Sequence, residues 1–199
     1  MRATPTAIAR SLSIIGHPLV VLPAAVAVLV LNDGTSSAAL IVSVIFGIGG
    51  AVLAYSFWQV HRGHWQHVDA SVKAERRSLN IFLALVLFLG AAVAFYQLSQ
   101  SGLALGLLLS GLSIVVMLSV SRWAKLSQHA SFAVFAALLL WPLNLWYFGF
   151  ASAAAASICW SRVALARHTV AEVLGGALLG GLCGICFWFV LQSHGHPGA

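Results

Sequence analysis

Three short polar clusters interrupt an otherwise apolar sequence, and their residue types are those that hold phosphoryl oxygens or move protons. They are Lys73-Ala-Glu75-Arg76-Arg77, Lys125-Leu-Ser127-Gln-His129, and Ser161-Arg162 followed by Arg167-His168 and Glu172. Arginine offers a planar fork of donors and lysine a compact charge, and both suit a phosphate oxyanion. A histidine at a helix start can act as a nucleophile, and a second can protonate a leaving oxygen. His168 and Glu172 are four residues apart, so a helix places them on one face. A carboxylate bonded to one imidazole nitrogen selects the tautomer that leaves the other nitrogen free to attack. The plainer alternative makes Arg162 and Arg167 anchors at a membrane face, and His168 with Glu172 a polar helix-start pair.

These clusters sit in an unusual chain. Of its 199 residues 61% are apolar and 7% charged, against about 45–50% and 25% in soluble domains. A water-soluble globule is excluded. Uncharged runs cover 11–32, 34–61, 78–121, 126–161 and 173–199, and about 20 apolar residues suffice to cross a bilayer. The expectation is an all-α, polytopic membrane helix bundle of about six to seven transmembrane helices with one short hairpin, forming a single domain over 1–199. The net charge of +6 is read as basic residues at helix ends, which set topology and attract anionic headgroups; no nucleic-acid partner is expected. The first 30 residues resemble a signal peptide, but the 22-residue run 11–32 is too long for one and is read as a retained first helix.

Further helices are expected at 36–59 and 170–192. The run 78–121 divides at the polar Gln97–Gly102 stretch into a hairpin of two passes. The run 126–161 divides at Trp141-Pro142-Leu143-Asn144, into short helices near 130–142 and 145–160. Seven passes then return all ten Lys and Arg residues to the N-terminal side and leave only Asp33 on the other. The positive-inside rule makes that side cytoplasmic, in a membrane of the bacterial inner type.

The third cluster, Ser161-Arg162-Val-Ala-Leu-Ala-Arg167-His168-Thr-Val-Ala-Glu172, carries a family resemblance. It resembles the third motif of the type-2 phosphatidic acid phosphatases, which share a core with the vanadium haloperoxidases: Ser-Arg, five residues, His, three residues, Asp. Glu172 stands where the family has Asp. The second motif, Pro-Ser-Gly-His, is matched only by Ser127-Gln128-His129, and the first, Lys, six residues, Arg-Pro, is not matched. The resemblance covers roughly 73–184. It implies that His168 attacks phosphorus to form a phosphohistidine, that His129 is the general acid, and that Glu172 orients His168. It implies phosphoryl contacts from Arg162, Ser127, Ser161, Lys73 and either Arg76 or Arg77, and no metal or other cofactor. Lys125 is placed at the same face, as an anchor more readily than as a ligand.

Other features have plainer readings. His61, His64 and His67 with Asp69 have metal-like spacing, but the stretch is read as an interfacial helix with Trp58 and Trp65 as belt anchors. Cys159, Cys183 and Cys186 lie in apolar stretches and are read as buried small residues. Gly176, Gly180 and Gly184 form a small-residue stripe that serves internal packing or a homodimer. The function expected is hydrolysis of a lipid or isoprenoid (polyprenyl) phosphate or diphosphate at the membrane face. The alternatives are a phosphotransferase of the same family and a small non-enzymatic transporter or scaffold whose cations bind anionic membrane lipids.

Overall fold

The computed structural model of the chain describes residues 5–34, 36–66, 72–98 and 100–193. Every regular element among them is a helix: α1 (Pro5–Ile15), α2 (Pro18–Asp33), α3 (Ala38–His61), α4 (Lys73–Tyr96), α5 (Ser101–Val120), α6 (Gln128–Leu139), α7 (Leu145–Ala164) and α8 (Val170–Ser193). The all-α architecture follows from the composition, because a backbone in hydrocarbon must satisfy its own hydrogen bonds and a helix does so within one segment. Four helices, α3, α4, α5 and α8, are long and apolar enough to cross a bilayer, and the bent pair α1–α2 makes a fifth if taken as one span. α6, with 12 residues, rises only about 18 Å, so it is the short arm of the expected hairpin. α7 has the length, but Arg162 and three serines make it less apolar.

The expected single helix over 11–32 is two helices, bent by 57°. The break is local in origin. Pro18 takes the first helical position of α2, where its missing N–H costs nothing, and the His17 ring accepts from the Leu19 amide at 3.2 Å as an N-cap. The expected interfacial helix also fails beyond His61: residues 62–66 form a turn with Gly63 at φ 74°, and Trp65 is buried edge-on against Tyr55 rather than held in a belt. His67 and Asp69 lie outside the described residues, as do His194 and His196.

Two compact units can be described within the chain. One unit holds α3, α4 and α5. Inside it Tyr55 of α3 stacks on Phe82 of α4 at 4.0 Å and hydrogen-bonds Ser78 at 2.7 Å. α4 ends at Tyr96 and α5 begins at Ser101, so the helices part at the polar stretch, as expected.

The other unit holds α1, α2, α6, α7 and α8. Its centre is α6, which touches α2, α7 and α8 and buries Ala130, Phe132, Ala133, Phe135 and Ala136 on several faces. A helix apolar all round belongs inside a bundle. The glycine stripe of α8 makes this packing possible. A Cβ on Gly176 or Gly180 would overlap the backbone carbonyls of Ser127 or Ser131, and one on Gly184 would meet Leu138 Cβ at 2.5 Å. The stripe is therefore filled by α6 of the same chain. Where α6 stops, the Trp188 indole donates to the Leu138 carbonyl at 2.8 Å, and Asn144 caps α7 through the Trp146 and Tyr147 amides. Gly180→Ala should destabilise the protein by about 1–3 kcal/mol through overpacking. Gly181→Ala, where a Cβ meets nothing within 4 Å, should leave the melting temperature unchanged or higher. Thermal unfolding of both purified variants checks the pair.

Candidate active site

The site is assembled by the ends of three helices in the α6-centred unit. α7 ends in a turn that sets the spacing of the third motif. The Ala166 amide donates to the Val163 carbonyl at 2.9 Å, and the Arg167 amide to the Arg162 carbonyl at 3.0 Å. These two bonds, with Ala166 at φ 50°, form a Schellman C-cap. Ala166 occupies the left-handed position usually given to glycine, which costs about 1–2 kcal/mol. The turn brings the His168 amide back to the Arg162 carbonyl as well, at 3.3 Å. Six residues apart in sequence, Arg162 and His168 are thus held at one helix end.

α8 begins with a reciprocal cap. The Glu172 amide donates to Thr169 Oγ1 at 3.2 Å, and the Thr169 amide to Glu172 Oε2 at 3.1 Å, the capping-box arrangement. The same Oε2 lies 3.1 Å from His168 Nδ1. The Lys125 carbonyl lies 3.2 Å from that nitrogen too. Both partners are acceptors only, so Nδ1 carries the proton and donates to them, and Nε2 keeps a lone pair. The tautomer expected of His168 follows from these partners.

Burial and the Lys125 charge hold the His168 pKa below its ordinary value of 6.5, and the hydrogen bond and charge of Glu172 oppose that shift. The imidazole therefore stays neutral, and nucleophilic, to lower pH than a free histidine. The titration midpoint of His168, followed by NMR of 15N-histidine protein, should lie below 6.5, the value of an unperturbed histidine. Glu172→Gln should move it lower still, because the charge that favours the protonated ring is gone.

Other predicted site residues are less free for chemistry. Ser127 is fully buried; it caps α6 by accepting from the Ala130 amide and donates its own amide to the Glu172 carbonyl at 3.1 Å. Ser161 is fully buried and donates to the Ile158 carbonyl at 2.7 Å. Their roles in the structure are thus packing and capping. Lys125 donates its ammonium to the Arg167 carbonyl at 3.1 Å, strapping the loop before α6 to the α7–α8 turn. His129, in the first turn of α6, meets the ring of His17 edge to face, with centroids 5.3 Å apart. Arg162 is within electrostatic reach of His17, His129 and His168. It donates from Nη1 to Ser13 Oγ, while its Nε is buried without a hydrogen-bond partner among the described residues.

The sequence pattern alone does not single out Ser13, His17 or Thr169. Thr169-x-x-Glu172 is legible as a capping box, and His17-Pro18 as a helix start within an apolar run. Nothing in the sequence marks Ser13.

Lys73, Arg76 and Arg77 belong to the other unit, in the first turns of α4. Lys73, Arg77, Ile81 and Leu85 recur every four residues along one face and line a groove of about 800 Å³ with Tyr55 and Phe82. Arg76 is not among the residues that line this groove. Nearby, the buried Glu75 carboxylate accepts the Gln66 and Val72 amides at 2.9 and 3.2 Å.

Compared with models of protein families, with curated proteins and with solved structures, the chain finds no match.

Proposed function

We propose that the protein is a membrane phosphatase that hydrolyses a lipid or polyprenyl phosphate through a phosphohistidine on His168. The observation that carries this reading is the Arg162 guanidinium, within electrostatic reach of His168 and His129, with a buried N–H that has no acceptor among the described residues. An unsatisfied buried donor costs about 1–3 kcal/mol, and more on a charged group. An anionic ligand oxygen would relieve that cost. The resemblance of Ser161–Glu172 to the third motif of the type-2 phosphatidic acid phosphatases supports the same chemistry.

In this mechanism His168 Nε2 attacks phosphorus as the bond to the lipid oxygen breaks. Burial and the Arg162 charge hold the His129 pKa down at about 3 in the empty site, so His129 takes its proton from the incoming phosphate monoester and passes it to that oxygen, releasing the lipid alcohol. Water then attacks the phosphohistidine and gives a proton to His129, and inorganic phosphate leaves. Arg162 neutralises charge on the phosphoryl oxygens in both steps, and preorganised donors of this kind typically contribute more to such catalysis than any other group. Glu172 keeps Nδ1 as the donor throughout.

The substrate class rests on the apolar setting of the helices, and the α3–α5 unit by itself offers a groove of matching character. Two cations above Ile81, Phe82 and Leu85 suit an anionic headgroup with a hydrocarbon chain. A phosphotransferase would use the same first step and a different acceptor. A cytoplasmic position of the site is part of the proposal and rests on the bias of Lys and Arg to one side.

The test is release of inorganic phosphate by the purified protein from phosphatidate, phosphatidylglycerophosphate, and polyprenyl phosphate and diphosphate. One of these should be turned over, with inhibition by orthovanadate, and His168→Ala should abolish release without changing the melting temperature. Wild-type rates in folded His168→Ala, or no release from any substrate, would overturn the reading.

A further inference from the structure

The mechanism above leaves the break between α1 and α2 unused, yet that break touches both His129 and Arg162. Its geometry is firmly built. Gly16 is buried, and a Cβ there would meet Ile158 of α7 at 2.5 Å and the Leu12 carbonyl at 2.7 Å, so the chain can pass this close to α7 only with glycine. The Gly16 amide donates to the Leu12 carbonyl at 2.8 Å, and the Val20 and Val21 amides both return to the His17 carbonyl. One turn before the break, Ser13 Oγ accepts from Arg162 Nη1.

His17 is fixed in two ways. Its Nδ1 accepts from the Leu19 amide, so the neutral ring carries its proton on Nε2. Its ring stands at 88° to that of His129, 5.3 Å away. This edge-to-face geometry is favoured between aromatic rings and restricts rotation of both.

We propose that this break is a working part of the site, with His17 and Ser13 as positioning residues. His17 holds the His129 ring in the orientation that delivers its proton to the leaving oxygen. Ser13 occupies one guanidinium nitrogen of Arg162, so that the plane of the fork is set and the unpartnered Nε–H is left for a phosphoryl oxygen. The inference rests on the phosphatase reading.

Two substitutions at His17 separate its tasks. His17→Asn keeps a side-chain acceptor for the Leu19 amide, asparagine being a good N-cap, but removes the ring. His17→Phe keeps a ring against His129 but loses the cap. The full chain, purified in detergent, is assayed with phosphatidate for turnover and with orthovanadate for inhibition. His17→Asn should lower kcat by about 10- to 100-fold, the cost of misplacing a reacting group by about 1 Å, with KM and vanadate inhibition unchanged. His17→Phe should recover most of that kcat despite a lower melting temperature. Ser13→Ala should instead weaken vanadate inhibition and raise KM by about tenfold, as expected for losing a hydrogen bond to a charged group.

A wild-type protein that releases phosphate while His17→Asn matches it overturns the inference and leaves the phosphatase reading standing. Losses that follow melting temperature alone, with kcat and KM changing together in all three variants, overturn it as well, because a purely structural role predicts that pattern. A wild-type protein that neither releases phosphate nor responds to vanadate removes both.

Discussion

Glu172 is the joint on which the α6-centred unit depends. Its carboxylate oxygen takes the Thr169 amide and starts α8, takes His168 Nδ1 and sets that ring's tautomer, and its backbone carbonyl takes the Ser127 amide at the start of α6. One residue thus ties two helix starts to the His168 ring. A charged acceptor at a helix N-terminus is favoured by the helix dipole as well as by its hydrogen bonds. A side chain with so many partners has little freedom, and His168 inherits that rigidity. Glutamate at the third position of a helix is also the usual reciprocal partner of a capping threonine, which gives a physical reason for its place here.

Close packing turns this joint into a site. Because Gly176 and Gly180 carry no side chains, the backbone of α8 lies against Ser127 and Ser131 of α6, and the starts of the two helices come level. α7 then delivers Arg162 and, through its Schellman turn, His168 to the same place. The left-handed Ala166 shows that local strain is tolerated where the surrounding bonds fix the turn. Dispersion and close backbone approach, rather than a hydrophobic driving force, hold such helices together in lipid, which is why three glycines matter more here than any large apolar residue.

Much of this was legible in the sequence, for a simple reason. Charges are excluded from hydrocarbon, so the gaps between them delimit α3, α4, α5 and α8, and the polar break at 97–102 and the Pro142-Asn144 stretch mark the two hairpins. The spacing of His168 and Glu172 likewise predicts their hydrogen bond. The break at His17 has only His17-Pro18 to signal it, because an uncharged run of 22 residues satisfies the length of a span whether or not it bends. Residue type also does not tell which way a hydroxyl points: Ser127 and Ser161 read as phosphate ligands, yet both are buried and bonded to backbone. Arg76 and Arg77 differ only by 100° of helix phase, and only the neighbours of α4 decide which one faces the groove. Which helices pack on one another is not legible either, since nothing in a charge-free run records it.

The central claim is that His168 carries the phosphoryl group between substrate and water, with Arg162 and Glu172 arranged for that purpose. The direct measurement is rapid quenching of the purified protein during turnover of 32P-labelled phosphatidate, followed by peptide mapping of the label. The account predicts an acid-labile, alkali-stable phosphoramidate on the peptide bearing His168, lost on addition of unlabelled substrate. Label on another residue, or turnover with no label retained by the protein when hydrolysis of the intermediate is slowed, would contradict it.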